Sequence, residues 1–378
     1  MSRKIVFVNQ ATGYLAIDII NEFAKEFDIV GVIYGDIRIQ DVELNPRVRK
    51  SKIIEKSRKS NFARLLRWFI ASVQIFFLLI TKYCKYEIFY FSVPPFAYFS
   101  SLILRRRFSL LMWDVYPDAL KSVGVSENGI IYRLWKRVNK HLFLKANHIY
   151  TIGEGPANLM AKYIAKDKII IIPLWTGLLN LRPIDKETNP FILETKLSGK
   201  FIVQYSGNMG QTHNIESLIE VARLTKDDTG IVYLFIGRGQ KFELVKELIL
   251  KYDLINCILL PFQSDNIIQY SLAAADLSII LIDERAANVV VPSKVYNLLA
   301  VGSPLLGISP ENSEISRLIM TYSLGKNFDK GDSLGIANFI RSMKNSPDIL
   351  NTYRKNSLDA SKNFTVANAR KFYESFIT

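Results

Sequence analysis

The chain has 378 residues, more than one ordinary hydrophobic core supports, and its 49% hydrophobic and 22% charged content is that of globular domains, not of a disordered chain. Two widely separated cysteines, Cys84 and Cys257, three histidines and no HExxH or CxxC spacing argue against a disulfide framework or a zinc site. The net charge of +14 is concentrated in the first half, where residues 1–180 hold 27 Lys and Arg against 14 Asp and Glu, while residues 181–378 hold 22 against 21. An anionic partner is therefore expected of the first half: nucleic acid, a membrane surface or an acidic substrate.

In chain order, "KIVFVN" (4–9) reads as a strand, followed by an amphipathic helix over 15–27 and a strand over 28–35. The short apolar start is a strand and turn pattern, not a signal peptide. "LLRWFIASVQIFFLLI" (65–80) is the most membrane-like segment, but Arg67 and Gln74 interrupt it and it is shorter than the ~20 residues of a spanning helix. A buried helix and an interfacial helix both remain open for it. Strands follow at 86–92 and 108–115, then a base- and aromatic-rich helix at 130–146, then strands at 148–153 and 168–175. Residues 176–200 carry prolines and charges with little periodicity and read as a linker. The alternation then restarts with strands at 201–207, 231–237, 257–262 and 277–283 and helices at 215–225, 241–252 and 265–275. The last residues, 367–378, look helical. Repeated strand–helix alternation predicts two doubly wound, Rossmann-like α/β domains facing across a cleft, with ligands beyond the carboxyl ends of the strands. The expected domains are 1–180 and 181–360.

Three turns of the second half suit phosphate. "YSGNMGQTHN" (205–214) offers Gly207 and Gly210 for close backbone approach, ahead of a helix start. In "FIGRGQ" (235–240), Gly237 and Gly239 flank Arg238, a fixed cation. In "PSKVYNLLAVG" (292–302), Pro292 and Ser293 suit a helix start and Gly302 its end. Lys294 then falls in the first turn, where the helix dipole disfavours a cation unless an anion binds there. Singly, each is matched by a bland reading, an ordinary glycine turn or a solvated side chain. Together they describe a nucleotide diphosphate site. Neither glycine turn has the full GxGxxG pattern, so NAD is not inferred. No DxD motif lies at a plausible strand end, so no metal is implied. In "WDVYPD", Asp114 and Asp118 are candidates for orienting an acceptor, against an equal case for structural hydrogen bonding. The basic half has no RNP-like, zinc-finger or helix-turn-helix signature, which ranks nucleic acid last.

The ordered set "YSGNMGQTHNIESLIEVA", "LFIGRG", "LPF", "AAADLSIILI" and "VPSKVYNLLAVGSPLL" resembles the retaining glycosyltransferases of the GT-B architecture, in family 4. "MWDVYPDAL" and "KIIIIPLWTG" extend the resemblance, less specifically, into the first half. The branch it looks closest to builds bacterial capsule, O-antigen or exopolysaccharide from lipid-linked intermediates. The resemblance implies a first domain that binds the acceptor, a second that binds the donor, and a C-terminal helix near 360–378 that packs back on the first.

It implies transfer from a nucleotide diphosphate sugar, expected to be a UDP-sugar, with no cofactor required. The acceptor would be a saccharide on polyprenyl diphosphate, handled at the cytoplasmic face of an anionic membrane. Carried over by position, Gly207 and Asn208 would approach the diphosphate or donor sugar, with His213 beside them and Gly237 at the next turn. Arg238 and Lys294 would neutralise the diphosphate, Pro261 and Phe262 would border the base, and Ser293 and Asn297 would lie at the phosphate–ribose end. Gly13 would let backbone approach the donor–acceptor junction. Asp114, with Arg238 and Lys294, is the catalytic expectation. Trp68, Arg105, Arg106, Arg107 and Asp118 are assigned to acceptor and membrane.

The chain departs from the family pattern at three places. Val289 and Asn297 stand where many members have a pair of glutamates. Asn208 and His213 stand where many have an arginine and a lysine, and Trp113 precedes Asp114 where many have a histidine. A nucleotide-sugar 2-epimerase of the same fold is the alternative reading.

Overall fold

The computed structural model describes residues 2–37, 42–57, 60–123, 125–178, 180–210, 213–284, 287 and 292–378. It forms two compact units, Met1–Gly177 with Val366–Thr378, and Leu178–Thr365. Each unit is built on one parallel sheet.

In the first unit the strands are β1 (Lys4–Thr12), β2 (Ile29–Ile37), β3 (Arg49–Lys52), β4 (Glu87–Phe91), β5 (Phe108–Met112), β6 (His148–Thr151) and β7 (Ile169–Ile171). Their order is β3-β2-β1-β4-β5-β6-β7. The second unit contains β8 (Phe201–Asn208), β9 (Ile231–Arg238), β10 (Cys257–Pro261), β11 (Leu277–Leu281), β12 (Leu305–Ile308) and β13 (Gly325–Phe328), ordered β10-β9-β8-β11-β12-β13. Parallel neighbours need crossovers, and helices supply most of them. Covered on both faces, central strands such as "FSLLM" and "LSIIL" are buried at every position. Side chains like Val6, Leu110, Ile149, Val203, Phe235 and Ile279 form the two cores, each worth about 1.5–3 kcal/mol when withdrawn from water. The strand order reverses between β1 and β4 and between β8 and β11, the positions at whose carboxyl ends such sheets bind ligands.

Several local expectations change. β3 is the polar run "RKSK", a strand at the sheet edge that carries no apolar alternation. Residues 176–200 are not a free linker. The helix Pro190–Glu194 buries Phe191 and Ile192 against the second sheet, Asn189 Nδ2 donates to Tyr270 O at 2.9 Å, and Lys186 pairs with buried Asp276. The helix Ala367–Ile377 packs on Tyr14–Glu26, with Tyr373 and Phe376 edge-on to Phe23 at 5.4 and 5.1 Å.

Candidate functional site

The site in the second unit is assembled where β8 and β9 end. The two strands stay in register to their last pairs, Gly207 with Gly237 and Asn208 with Arg238. Only glycine permits this: a Cβ on Gly237 would stand 1.9 Å from Gly207 O, and one on Gly239, at φ +136°, would stand 2.6 Å from Met209 O. The strands are then cross-linked past their ends. Met209 N donates to Arg238 O at 2.7 Å, and Lys241 N donates to Met209 O at 2.9 Å. A rigid edge thus presents Asn208 and Arg238 side by side and exposed.

Lys294 opens the helix Lys294–Ala300 but does not point to water. Its ammonium returns to the end of β8, donates to Ser206 O at 3.3 Å, and lies 4.2 Å from the Tyr205 ring centroid. It sits directly over Gly207, where an added Cβ would be 3.3 Å from Nζ. Burial pushes its pKa down to about 8, so the group is still a cation at pH 7, but one with few favourable partners. His213 shares this environment. Burial, then the charges of Lys294 and Lys241, push its pKa down to about 4 against a smaller opposing effect of a backbone hydrogen bond with Gly210, leaving a neutral imidazole. Lys241 Nζ is held by His213 O at 2.9 Å and by Glu216 at 2.8 Å. The Arg238 guanidinium lies 4.8 Å from the ring centroid of Phe262, which is half exposed beyond β10. Pro261 is the last residue of β10 and pairs with Gly237. Ser293 occupies the helix cap and is exposed, and Asn297 is half-buried one turn further on.

The structure therefore gathers Gly207, Asn208, His213, Gly237, Arg238 and Lys294 at the carboxyl end of one sheet, with Phe262 against Arg238. Val289 lies outside the described residues. Tyr205 and Lys241 were missed by sequence reading. The period-2 alternation that puts Val203 and Tyr205 on one face of β8 was legible, but the contacts of Tyr205 with Lys294 and of Lys241 with His213 were not.

In the first unit, Gly13 caps the helix Tyr14–Glu26 at φ −101°, and a Cβ there would meet nothing within 4 Å. Asp114 follows β5. Its backbone N–H donates to Ser92 Oγ at 3.2 Å, and burial raises its carboxyl pKa, with Lys56 opposing. Nearby, two buried N–H donors, Asn9 Nδ2 on β1 and Trp113 Nε1 after β5, have no partner among the described residues, a state that costs about 1–3 kcal/mol per group. Trp113 packs on Phe91 at 5.0 Å, an aromatic wall in place of an acid–base group.

Three assignments to acceptor and membrane are corrected. Trp68 is 1% exposed and belongs, with Tyr116 and Trp135, to an aromatic cluster. Arg106 donates to Tyr83 O at 2.6 Å and Leu79 O at 3.0 Å, satisfying carbonyls at the end of the helix Asn61–Ile80. Asp118 is 1% exposed, accepts from the hydroxyls of Tyr132 and Tyr163, and pairs with Lys121 and Lys162. These contacts give it a structural role within the first unit. Arg105 and Arg107 remain exposed, the latter 3.5 Å from Glu87.

Comparisons with known proteins agree with this architecture. Residues 185–328 match the family model described as glycosyl transferases group 1. The chain is 28% identical over 354 residues to the probable glycosyltransferase WbjE of Pseudomonas aeruginosa, covering 89% of this chain and 87% of that one. It is 24% identical over 215 residues to the putative colanic acid biosynthesis glycosyl transferase WcaI of Escherichia coli (strain K12), covering 55% and 53%. Among solved structures, Anabaena Alr3699/HepE in complex with UDP superposes with a TM-score of 0.73 at 13% identity, covering 99% of both chains. WaaG, a glycosyltransferase involved in lipopolysaccharide biosynthesis, gives 0.69 at 13% identity, again over 99% of both. The chain therefore has the GT-B fold, two parallel-sheet α/β units, and its second unit carries a glycosyl transferases group 1 domain.

Proposed function

We propose that the chain is a retaining glycosyltransferase of family 4. It moves a sugar from a UDP-sugar to a saccharide carried on polyprenyl diphosphate, in bacterial surface polysaccharide biosynthesis at the cytoplasmic face of the membrane. The observation that carries this reading is the desolvated Lys294 ammonium held over Gly207 at the end of β8, with Arg238 beside it on β9. A partly buried cation is costly until an anion joins it, and a nucleoside diphosphate offers two phosphates to two cations. UDP complexes of a protein with this fold and the colanic acid role named for WcaI support the choice of donor and pathway class.

In the proposed reaction the bond from the sugar C1 to the diphosphate oxygen breaks while the acceptor oxygen bonds to C1 on the same face. The acceptor proton passes to the departing diphosphate. Lys294, Arg238 and backbone amides near Gly207 and Asn208 stabilise the charge that develops on the leaving group. Neutral His213 lies beside the donor sugar without adding charge. Phe262 and Pro261 border the base, and Ser293 and Asn297 take the phosphate–ribose end. In the first unit Asp114 orients the acceptor, the unpaired N–H groups of Asn9 and Trp113 bind its oxygens, and open space at Gly13 admits it.

A thermal-shift screen of nucleotide sugars tests the reading. UDP-sugars are expected to stabilise the protein, and Arg238→Ala, which removes an exposed cation, to weaken them about ten-fold. No shift with any uridine or guanosine diphosphate sugar would reject it. Conversion of the donor with no acceptor present would select the 2-epimerase instead.

A further inference from the structure

The helix Asn61–Ile80 has two apolar faces, and the protein covers only one of them. Trp68, Ala71, Ile75 and Leu79 point into the first unit's core. Arg67 and Gln74 flank that face and bond the 54–55 segment, through Arg67 Nη1 to Glu55 O at 3.1 Å and Ile54 N to Gln74 Oε1 at 2.9 Å. The opposite flank carries Phe62, Leu66, Phe69, Val73, Phe77 and Ile80, all exposed, with Phe69 at 61%. Their spacing of three and four residues makes one continuous stripe along the helix. By length and hydropathy the helix could cross a membrane, but a helix whose other side is core cannot leave the unit to do so.

Neighbouring elements add exposed apolar groups of their own. The 3-10 helix Ala97–Leu102 packs against it and against the helix Ile130–Lys145, and the Trp68–Tyr116–Trp135 cluster joins the two long helices from within. Ile103, just past the first, is exposed, and so are Ile130, Ile131 and Leu134 on the second, with Ile131 at 79%. Around these apolar groups bases outnumber acids, of which Glu127 pairs with Lys121 and Glu87 lies 3.5 Å from Arg107. Neither long helix contains an aspartate or glutamate. Exposed Arg133, Lys136, Arg137 and Lys140 line the second helix, and Lys82, Lys85 and Arg105 stand at the adjoining ends.

We infer that this face of the first unit is a monotopic docking surface for an anionic lipid bilayer. The stripe of Asn61–Ile80 would lie in the plane of the interface, and the surrounding lysines and arginines would lie among the headgroups. Charge complementarity selects this occupant. A basic rim around an apolar centre matches a lipid surface that is anionic outside and hydrocarbon within. A self-association patch would place these cations against each other across a symmetric interface. The inference deepens the membrane placement proposed above but does not depend on the donor site.

Flotation of the full chain with phosphatidylcholine vesicles, with and without phosphatidylglycerol, tests it. Binding is expected to the anionic vesicles. Phe69→Asp with Phe77→Asp should reduce partitioning roughly ten-fold or more, and Lys136→Glu with Arg137→Glu should reduce it and weaken its salt dependence. Both double variants should keep the UDP-sugar thermal shift, which separates failure of docking from failure of the donor reading. Equal partitioning of wild type and the Phe69/Phe77 variant, or no binding to anionic vesicles at low salt, would overturn the inference. So would a dimer that the aspartates dissolve in the absence of vesicle binding, which would assign the face to a second copy of the chain.

Discussion

Lys294→Ala is expected to weaken binding of UDP and UDP-sugars about 100-fold while leaving the second unit folded. A charge-assisted hydrogen bond in a desolvated site is worth roughly 1.5–3 kcal/mol, and two powers of ten correspond to about 2.7 kcal/mol. The free protein gains little from this ammonium. Among the described residues its hydrogen bond, to Ser206 O, is long, and its contact with Tyr205 is a cation over a ring. Burial lowers its pKa from the ordinary 10.5 to about 8, so between those values the unfolded chain binds more protons than the folded one. Stability of the free protein should therefore rise as pH rises from about 8 to 10.5, and Lys294→Met should remove that slope. A bound diphosphate reverses the sign. It raises the ammonium pKa, so affinity should fall as pH climbs above about 8 and the free protein loses the proton. Titration calorimetry with UDP at pH 7 and 9, beside melting curves without ligand, measures both. Unchanged UDP affinity in Lys294→Ala would remove the diphosphate role from this residue.

The element order and the glycine turns of this site were legible because they are local. Strand–helix alternation and glycine at strand ends are written in consecutive residues, and they led to Gly207, Gly237, Arg238 and Lys294. What makes Lys294 unusual was not local. The helix dipole argument marked it as awkward, but the direction of its side chain, back across 88 positions to Ser206, depends on β8 and β11 being neighbours. His213 became a buried neutral group for the same reason. Trp68 shows the converse failure. The helix it occupies has apolar residues on two faces, and periodicity identifies the faces without saying which one the core takes. The exposed face proved to be that of Phe69 and Phe77, while the tryptophan turned inward. The stretch after Gly302 was left largely unread because β12 and β13 are four-residue strands, too short for alternation to register.

Asp118→Ala should destabilise the first unit by about 3–5 kcal/mol, the loss usual when one member of a buried, hydrogen-bonded charge cluster is removed. Asp118 stands where "WDVYPD" also permitted a contact with the acceptor, so the same variant decides between the two roles. Burial alone would raise the carboxyl pKa, but donors from Tyr163, Tyr132 and Lys121 outweigh it, and the folded pKa is lowered. The sign follows: stability from this group is complete above the ordinary carboxylate range and is lost as pH falls through the lowered folded value. The melting transition of the first unit should drop by roughly 6–20 °C at pH 7, and by less in strong acid, where wild type has also lost the charge.

Asp114→Asn should behave in the opposite way. Burial raises the Asp114 pKa, so the neutral amide removes a desolvated charge, and the melting temperature should hold or rise while transfer to acceptor falls. If Asp118→Ala kept its melting temperature and lost only transfer, the buried cluster would be dispensable and the acceptor role restored. If Asp114→Asn unfolded the unit, the Asp114 carboxylate would be structural, and the acceptor would have to be oriented by Asn9 and Trp113.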